Sequence, residues 1–349
     1  MPEAAGSSSV ASCTPRHMAS QAGFPRSGGP LFRPALATVC LLALGLSLAA
    51  GLPGCPEAAQ AAKTRQEPSG AATAAVNGHG FAQSEMAQVA NPALRQELVQ
   101  VSQEFAATVT TKTLARLGSK GGQHRLDLLT TPANAYRDAV RTDALARLKA
   151  AGADLSVSQY FVYADRNPST QLIILAFFDA EGQHVVLLGA DFISSGKLRP
   201  GEDSFITPVG VFEHLPENWG YRAEGTKNSK GWRGLGARGS RVWDFGYQQA
   251  PRQFRQGVYD SQMRLLMHAT DPDQGEPRLG GPDSKGCVRV SAAANAFLDQ
   301  HSILDRHYES IASTDKERDL WLLRRDRRPV SRPGSYLVVG DSAMGSASR

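Results

Sequence analysis

The chain has 349 residues, 41% of them apolar and 20% charged, and its 38 lysines and arginines outnumber 33 acids to give a net charge of +5. That length accommodates one sizeable domain with an accessory one. The densest basic run, RRDRRP at 324–329, has no interleaved aromatics and reads as a solvated loop, which argues against nucleic-acid binding; no GxGxxG or P-loop occurs either.

The chain opens on a polar, Gly- and Ser-rich lead-in carrying Arg26 and Arg33, with no acid beyond Glu3. The apolar run PALATVCLLALGLSLAAGL at 34–52 then reads as the core of an export signal, with positive charge before it and small residues after it. A retained transmembrane helix needs about 20 apolar residues, a length that this run only just reaches. Two exits are visible. AQA at 59–61 is a small-x-small site for a signal peptidase, while LPGC at 52–55 resembles a lipoprotein box, with an unusual Pro53, whose Cys55 would carry a membrane-anchoring lipid. Met18 offers a second start. Every version places the mature chain outside the cytoplasmic membrane, in the periplasm or cell envelope, with 1–61 as the export segment. Residues 62–90, rich in Ala, Gly, Gln and Ser, read as a flexible linker.

From Pro92 the pattern becomes helical. Leu94, Leu98, Val101, Phe105 and Val109 recur at helical spacing, with Asn91 as N-cap and Pro92 at the first helical position. A second helical stretch, PANAYRDAVRTDALARLKAAG, ends at Gly152 and completes a small helical region over 91–152. Beyond it the period is that of strands, at about 159–164, 170–179 and 183–193, divided by the turn signals DRNPS and DAEGQ. In FITPVGVFEHL the pair Thr207-Pro208 breaks the pattern and 209–212 resume it. No βαβ alternation is present, so the domain over 153–340 is expected to be mainly β, with a disordered tail at 341–349.

Residues 215–254 are aromatic and Gly-rich, and Trp219, Tyr221, Trp232 and Trp243 would serve either a substrate lid or a decorated hairpin with buried tryptophans. The strand RLLMHAT follows, with His268 near its end.

Four cysteines occur, and Cys13, Cys40 and Cys55 all precede residue 56, so Cys287 is the only thiol left once that region is removed or lipidated. Exported proteins ordinarily pair their cysteines. A lone thiol is then a nucleophile or a small buried hydrophobe. The neighbours favour the nucleophile: His268 from a strand end, and a helix SAAANAFLDQHS behind Cys287, would both lower a thiol pKa. The amides of Gly286 and Cys287 would face an oxyanion, and Gly286 allows close approach to the backbone. His184, His214, His301 and His307 show no metal-ligand spacing, so neither metal nor cofactor is called for.

This constellation resembles the L,D-transpeptidase (YkuD-type) family of peptidoglycan enzymes, whose signature is a histidine, a short spacer, and Ser/Thr-His-Gly-Cys followed by an apolar residue and Arg or Asn. The matching positions are His268, Ser284, Gly286, Cys287 and Arg289, and ISSGKLRPGEDSFITPVGVFEH resembles the family's Ser-Thr-Gly turn and Thr-Pro-x-Gly strand. The resemblance covers roughly residues 159–300, with GSYLVVG as a last strand. Two positions depart from it. Lys285 stands where a second histidine is usual, and Ala269 where glycine is common.

The resemblance implies a β-sandwich catalytic domain with a helix after the cysteine. Cys287 would be the nucleophile and His268 the base, held by the carbonyl of Ala269, with Ser284, Lys285, Gly286 and Arg289 around the oxyanion and substrate. Lys285 would project beside the reacting carbonyl and lower the thiol pKa. The substrate would be a peptidoglycan stem peptide: Cys287 attacks the carbonyl of its third-position diamino acid, expels D-alanine and holds a thioester. An amine from a second stem peptide or from another protein resolves that thioester into a 3-3 cross-link or a wall attachment. A thioester-using carboxypeptidase or wall amidase, and a non-catalytic wall-binding protein suggested by Lys285, are the alternatives.

Overall fold

The computed structural model describes residues 83–118, 122–315 and 320–343. The expected export segment, most of the linker, Cys13, Cys40, Cys55 and the end of the tail lie outside the described residues.

A short helix α1 (Gln83–Met86) leads into α2 (Pro92–Phe105), which begins where Asn91 accepts the Leu94 amide at 3.1 Å with Pro92 in the first turn. The helix runs on through a π turn (Ala106–Thr110) into α3 (Thr111–Leu117), followed by α4 (Gln123–Thr130) and α5 (Asn134–Ala150). The π turn has no counterpart in the sequence reading. Its position is set by tertiary bonds, since Ser102 and Thr110 donate to the carbonyls of Leu188 and Ala190 at 2.6 and 3.0 Å and so fix the helix along one strand.

The strands are β1 (Gln159–Asp165), β2 (Leu172–Asp179), β3 (His184–Phe192), β4 (Gly210–Glu213), β5 (Tyr221–Arg222), β6 (Arg241–Phe254), β7 (Gly257–Ala269), β8 (Val288–Val290) and β9 (Tyr336–Gly340). They form two mixed sheets, ordered β3-β2-β1-β9-β4 and β5-β6-β7-β8, in which β1–β9 and β7–β8 are the parallel pairs. Two helices, α6 (Ala292–Gln300) and α7 (Arg306–Thr314), lie between β8 and β9 in the chain.

The first sheet is buried on both faces. On one side Tyr160, Val162, Leu175 and Phe177 share a core with Trp243, Leu265 and Met267 of the second sheet and with Leu98, Phe105 and Phe297. On the other, Phe161, Ile174, Phe178 and Leu187 meet Val140, Ala144 and Leu148 of α5. Covered faces explain why β1 to β3 read as nearly continuous apolar runs rather than alternating ones. Each large side chain so buried contributes about 1.5–3 kcal/mol.

Two expectations are resolved. Of the two roles open to 215–254, its last fourteen residues take that of the hairpin, forming β6 paired with β7. Trp243 is fully buried in the core and supplies no lid surface. Second, β8 stands between Cys287 and α6, whose N-cap is Ser291, accepting the Ala294 amide at 3.0 Å. The expected helix does follow the cysteine, but only after this three-residue strand, so the thiol does not sit at the helix N-terminus.

Candidate active site

Along β7, Leu265 and Met267 point into the core, so Leu266 and His268 take the opposite face by the two-residue period of a strand. Strand register then assembles a row across the second sheet: Tyr221 pairs with Val242, Val242 with His268, and His268 with Arg289. The adjacent row holds Asp244 opposite Leu266, and the pairing of Met267 with Val288 sets Cys287 beside Leu266. His268, Cys287 and Arg289 thus emerge on one face.

The turn before β8 is tied to two segments distant in sequence. Thr207 donates from Oγ1 to the Gly286 carbonyl at 2.7 Å, and the same oxygen accepts the Gly196 amide at 2.7 Å. Ser284 Oγ donates to the Cys287 carbonyl at 2.6 Å and accepts the Gly286 amide at 3.0 Å. The Ser284 amide donates to the Ser195 carbonyl at 2.9 Å, and the Phe205 amide to that of Lys285 at 3.1 Å. Glycine is required at two of these positions. Gly286 has φ +133° and any side chain there would meet Met263, while a Cβ on Gly196 would fall 2.2 Å from the Phe205 carbonyl oxygen.

His268 is only 4% exposed, and its Nδ1 lies 2.7 Å from the Ala269 carbonyl oxygen. A carbonyl can only accept, so Nδ1 carries the proton and Nε2 of the neutral ring is an acceptor. Burial lowers the His268 pKa to about 4, opposed by the Ala269 bond and assisted by Arg289. Burial raises the Cys287 thiol above its ordinary value; the Leu266 amide and Arg289 pull it down, and Asp244 pushes it up. At neutral pH the pair is therefore a thiol and a neutral imidazole. This corrects the expectation of a thiol lowered by an imidazolium: desolvation disfavours both charged forms here. Tyr221, half-buried in the same row, is pushed up by burial, by Asp244 and by Cys287.

Beside this face lies a cleft of about 710 Å³ whose charged lining is Arg199, Lys230, Arg278, Lys285 and Arg289 against Glu202 and Asp283. Arg199 binds Asp283 at 2.7 Å through Nη2, and Arg278 and Arg289 approach the same carboxylate at 3.5 and 3.8 Å. Lys285 departs from expectation. Its side chain is 59% exposed and its Nζ pairs with Glu202 Oε2 at 3.4 Å, so the cation acting on the thiol is Arg289. The Gly286 amide is likewise committed to Ser284 Oγ, so it is not free to meet an oxyanion as expected.

Sequence reasoning left Arg199, Arg278, Asp283 and Asp244 without roles. Asp283 sits inside the cysteine turn, GGPDSKGCVRVS, and Arg199 inside GKLRPGED, but their pairing depends on strand order that no local pattern encodes. No known protein-family model matches the chain, and neither does any curated protein.

Proposed function

We propose that the protein is a cysteine-dependent L,D-transpeptidase of the peptidoglycan layer, with a YkuD-type β-sandwich as its catalytic domain and an exported mature chain. The observation that carries this reading is the shared face of Cys287 and His268, with Nδ1 of the imidazole tied to Ala269 and Nε2 left to accept a proton.

In the first half-reaction, His268 Nε2 takes the Cys287 proton as the sulfur attacks the carbonyl carbon of the diamino acid. The tetrahedral oxyanion draws on the Cys287 amide, because that of Gly286 is engaged within the turn. Collapse breaks the peptide bond, the imidazolium returns the proton to the departing D-alanine amine, and a thioester remains. In the second half-reaction the acceptor amine loses its proton to His268, attacks the thioester and releases the thiol. Starting from a neutral pair suits a base that must accept one proton and return it in each half-reaction. The cationic cleft beside the nucleophile suits a substrate bearing carboxylates.

The test is incubation of the protein with disaccharide-tetrapeptides and mass analysis of the products. A dimer lighter than two monomers by one free D-alanine is expected, because one amide is broken and one is formed, and Cys287→Ala abolishes it. Shortened monomer alone would assign a carboxypeptidase, and an unaltered substrate would overturn the enzymatic reading.

A further inference from the structure

The edge of a β-sheet carries unpaired amides and carbonyls, and native chains ordinarily cover it or keep it short. Most edges of this fold follow that rule. Along β3, Glu85 accepts the Leu187 amide at 2.7 Å, and Ser102 and Thr110 hold the carbonyls of Leu188 and Ala190. β4 and β5 have only four and two residues. The β6 side of the long hairpin is closed by 204–206, where Ile206 donates its amide to the Pro251 carbonyl and Gln253 donates to that of Ser204, both at 3.0 Å. The β7 side differs. β8 pairs with it only over Met267 to Ala269, and among the described residues no backbone segment but β6 pairs with β7 between Val258 and Leu265.

Strand register identifies the groups left open. Thr270 donates its amide to Val290 at 3.0 Å, and the Leu266 amide meets the Cys287 sulfur, so the even-numbered residues of β7 turn their backbone groups toward the lane that β8 occupies. β7 keeps that phase, because the extra residue of the register shift lies in β6, between Asp244 and Tyr247. Arg264, Gln262, Asp260 and Val258 therefore present amide and carbonyl to an empty lane about 20 Å long. All four residues are exposed, and the neighbouring Tyr259 is 56% exposed.

The lane is closed at one end, where Cys287 lies beside Leu266. A second copy of the chain paired antiparallel about Gln262 would set its Val258 opposite Leu266 and drive its own turn at 255–256 into Cys287 and β8. That hairpin does not fit. A linear segment that ends at the thiol does.

We infer that the open edge of β7 is a docking edge for an extended polypeptide segment of another protein, added as a further strand in the lane of β8 with its end at Cys287. Main-chain hydrogen bonds supply the affinity, so extended backbone counts for more than sequence. The docking edge stands or falls independently of the transpeptidase reading.

The probe is the acetylated heptapeptide amide Lys-Thr-Val-Thr-Val-Thr-Lys, long enough for the open edge, titrated into the full chain and followed by fluorescence anisotropy and amide hydrogen exchange. In the free protein the amides of Asp260, Gln262 and Arg264 should exchange fast, and those of Ser261 and Met263, which face β6, slowly. Saturating peptide should slow the first set and retard alkylation of Cys287. Gln262→Pro deletes one outward amide without touching the ladder to β6, a placement that an edge strand tolerates. It should weaken binding about threefold to tenfold, while Gln262→Ala binds as wild type does. A urea midpoint equal to that of wild type verifies the fold of the proline variant; should it unfold, the exchange comparison in wild type decides alone. Absence of binding at millimolar peptide, unchanged exchange of the outward amides at saturation, or equal affinity of Gln262→Pro and wild type overturns the inference. A concentration-dependent dimer that protects the same amides without peptide assigns the edge to a second copy and overturns it too.

Discussion

His268 donates its Nδ1 proton to the carbonyl of the next residue, Ala269, at 2.7 Å, so the tautomer of the imidazole is set by the backbone of its own strand. No carboxylate takes part in that bond. A proton-accepting Nε2 consequently persists down to about pH 4, where the buried ring is finally protonated. The acid limb of the activity profile is expected near pH 4 instead of near the ordinary histidine value of 6.5. His268→Gln should reduce turnover by about 10²-fold or more, the usual contribution of a general base. An acid limb at pH 6 to 7 in wild type would show that the ring titrates in the open, without the burial that lowers it.

The thiol gives a complementary expectation. Because burial holds Cys287 above the ordinary cysteine range while His268 stays neutral, the free protein contains little thiolate at pH 7. Alkylation of Cys287 by iodoacetamide should climb steadily into alkaline pH, with no plateau between pH 4 and 8. A plateau across that range would reveal a thiolate–imidazolium pair and reverse the assignment of the resting state.

Thr207 connects three segments through one hydroxyl, donating to Gly286 and accepting from Gly196, both at 2.7 Å. Thr207→Val keeps the shape and removes both bonds. Two buried backbone groups then lose their partner at about 1–3 kcal/mol each. The expected result is a lower urea midpoint together with a fall in turnover, since the same turn presents Cys287. Gly196→Ala should be worse, because its Cβ meets backbone instead of a movable side chain. Thr207→Val with wild-type stability and rate would mean that the turn holds its shape without this hydroxyl.

What the sequence disclosed and what it concealed divide along the range of the interactions. Cys287 and His268 were legible because a lone thiol is conspicuous in a chain that reads as exported and a short spacer links it to a strand-end histidine. The α2 start was legible because Asn91 and Pro92 act within one turn. β6 was hidden by its own contents: Arg241 is buried against Asp305 at 2.9 Å, and a register shift between Asp244 and Tyr247 breaks the alternation. Arg199 and Asp283 could not be paired in advance, since they meet only after the turn carrying Ser284 lies beside Ser195 and Gly196.

Acid should weaken the fold through the same histidine. With a folded pKa of about 4 against an ordinary 6.5, His268 takes a proton in the unfolded chain first. Its contribution is complete above pH 6.5, is lost as pH falls through the window, and amounts to about 3 kcal/mol across it. His214, also fully buried and near 4, acts in the same direction. Asp165, Asp191 and Asp299, raised by burial, act in the opposite one. The difference between wild type and His268→Gln isolates the single group. Urea unfolding at pH 7, 5.5 and 4.5 should show the wild type losing more stability than the variant, and parallel losses would place His268 in water in the folded chain.

Lys285 and Arg289 offer two candidate cations for the thiol, and their surroundings separate them. Lys285 extends outward, more than half exposed, with Glu202 as its partner at 3.4 Å. An exposed pair of that kind is worth little and is screened by salt. Arg289 is largely buried, shares a face with Cys287, and lowers the thiol and imidazole pKa values alike. Lys285→Ala should therefore leave the alkylation profile of Cys287 superimposable on that of wild type, at low and at high salt. Arg289→Gln should move the profile to higher pH, because the burial that opposes the thiolate remains and its one opposing charge is gone. The conservative Arg289→Lys keeps the charge and should hold the profile close to wild type even where it weakens substrate binding. If instead Lys285→Ala shifts the profile and Arg289→Gln does not, the thiol is governed from the surface, and the lysine performs the electrostatic role of the histidine it replaces in the resembling family.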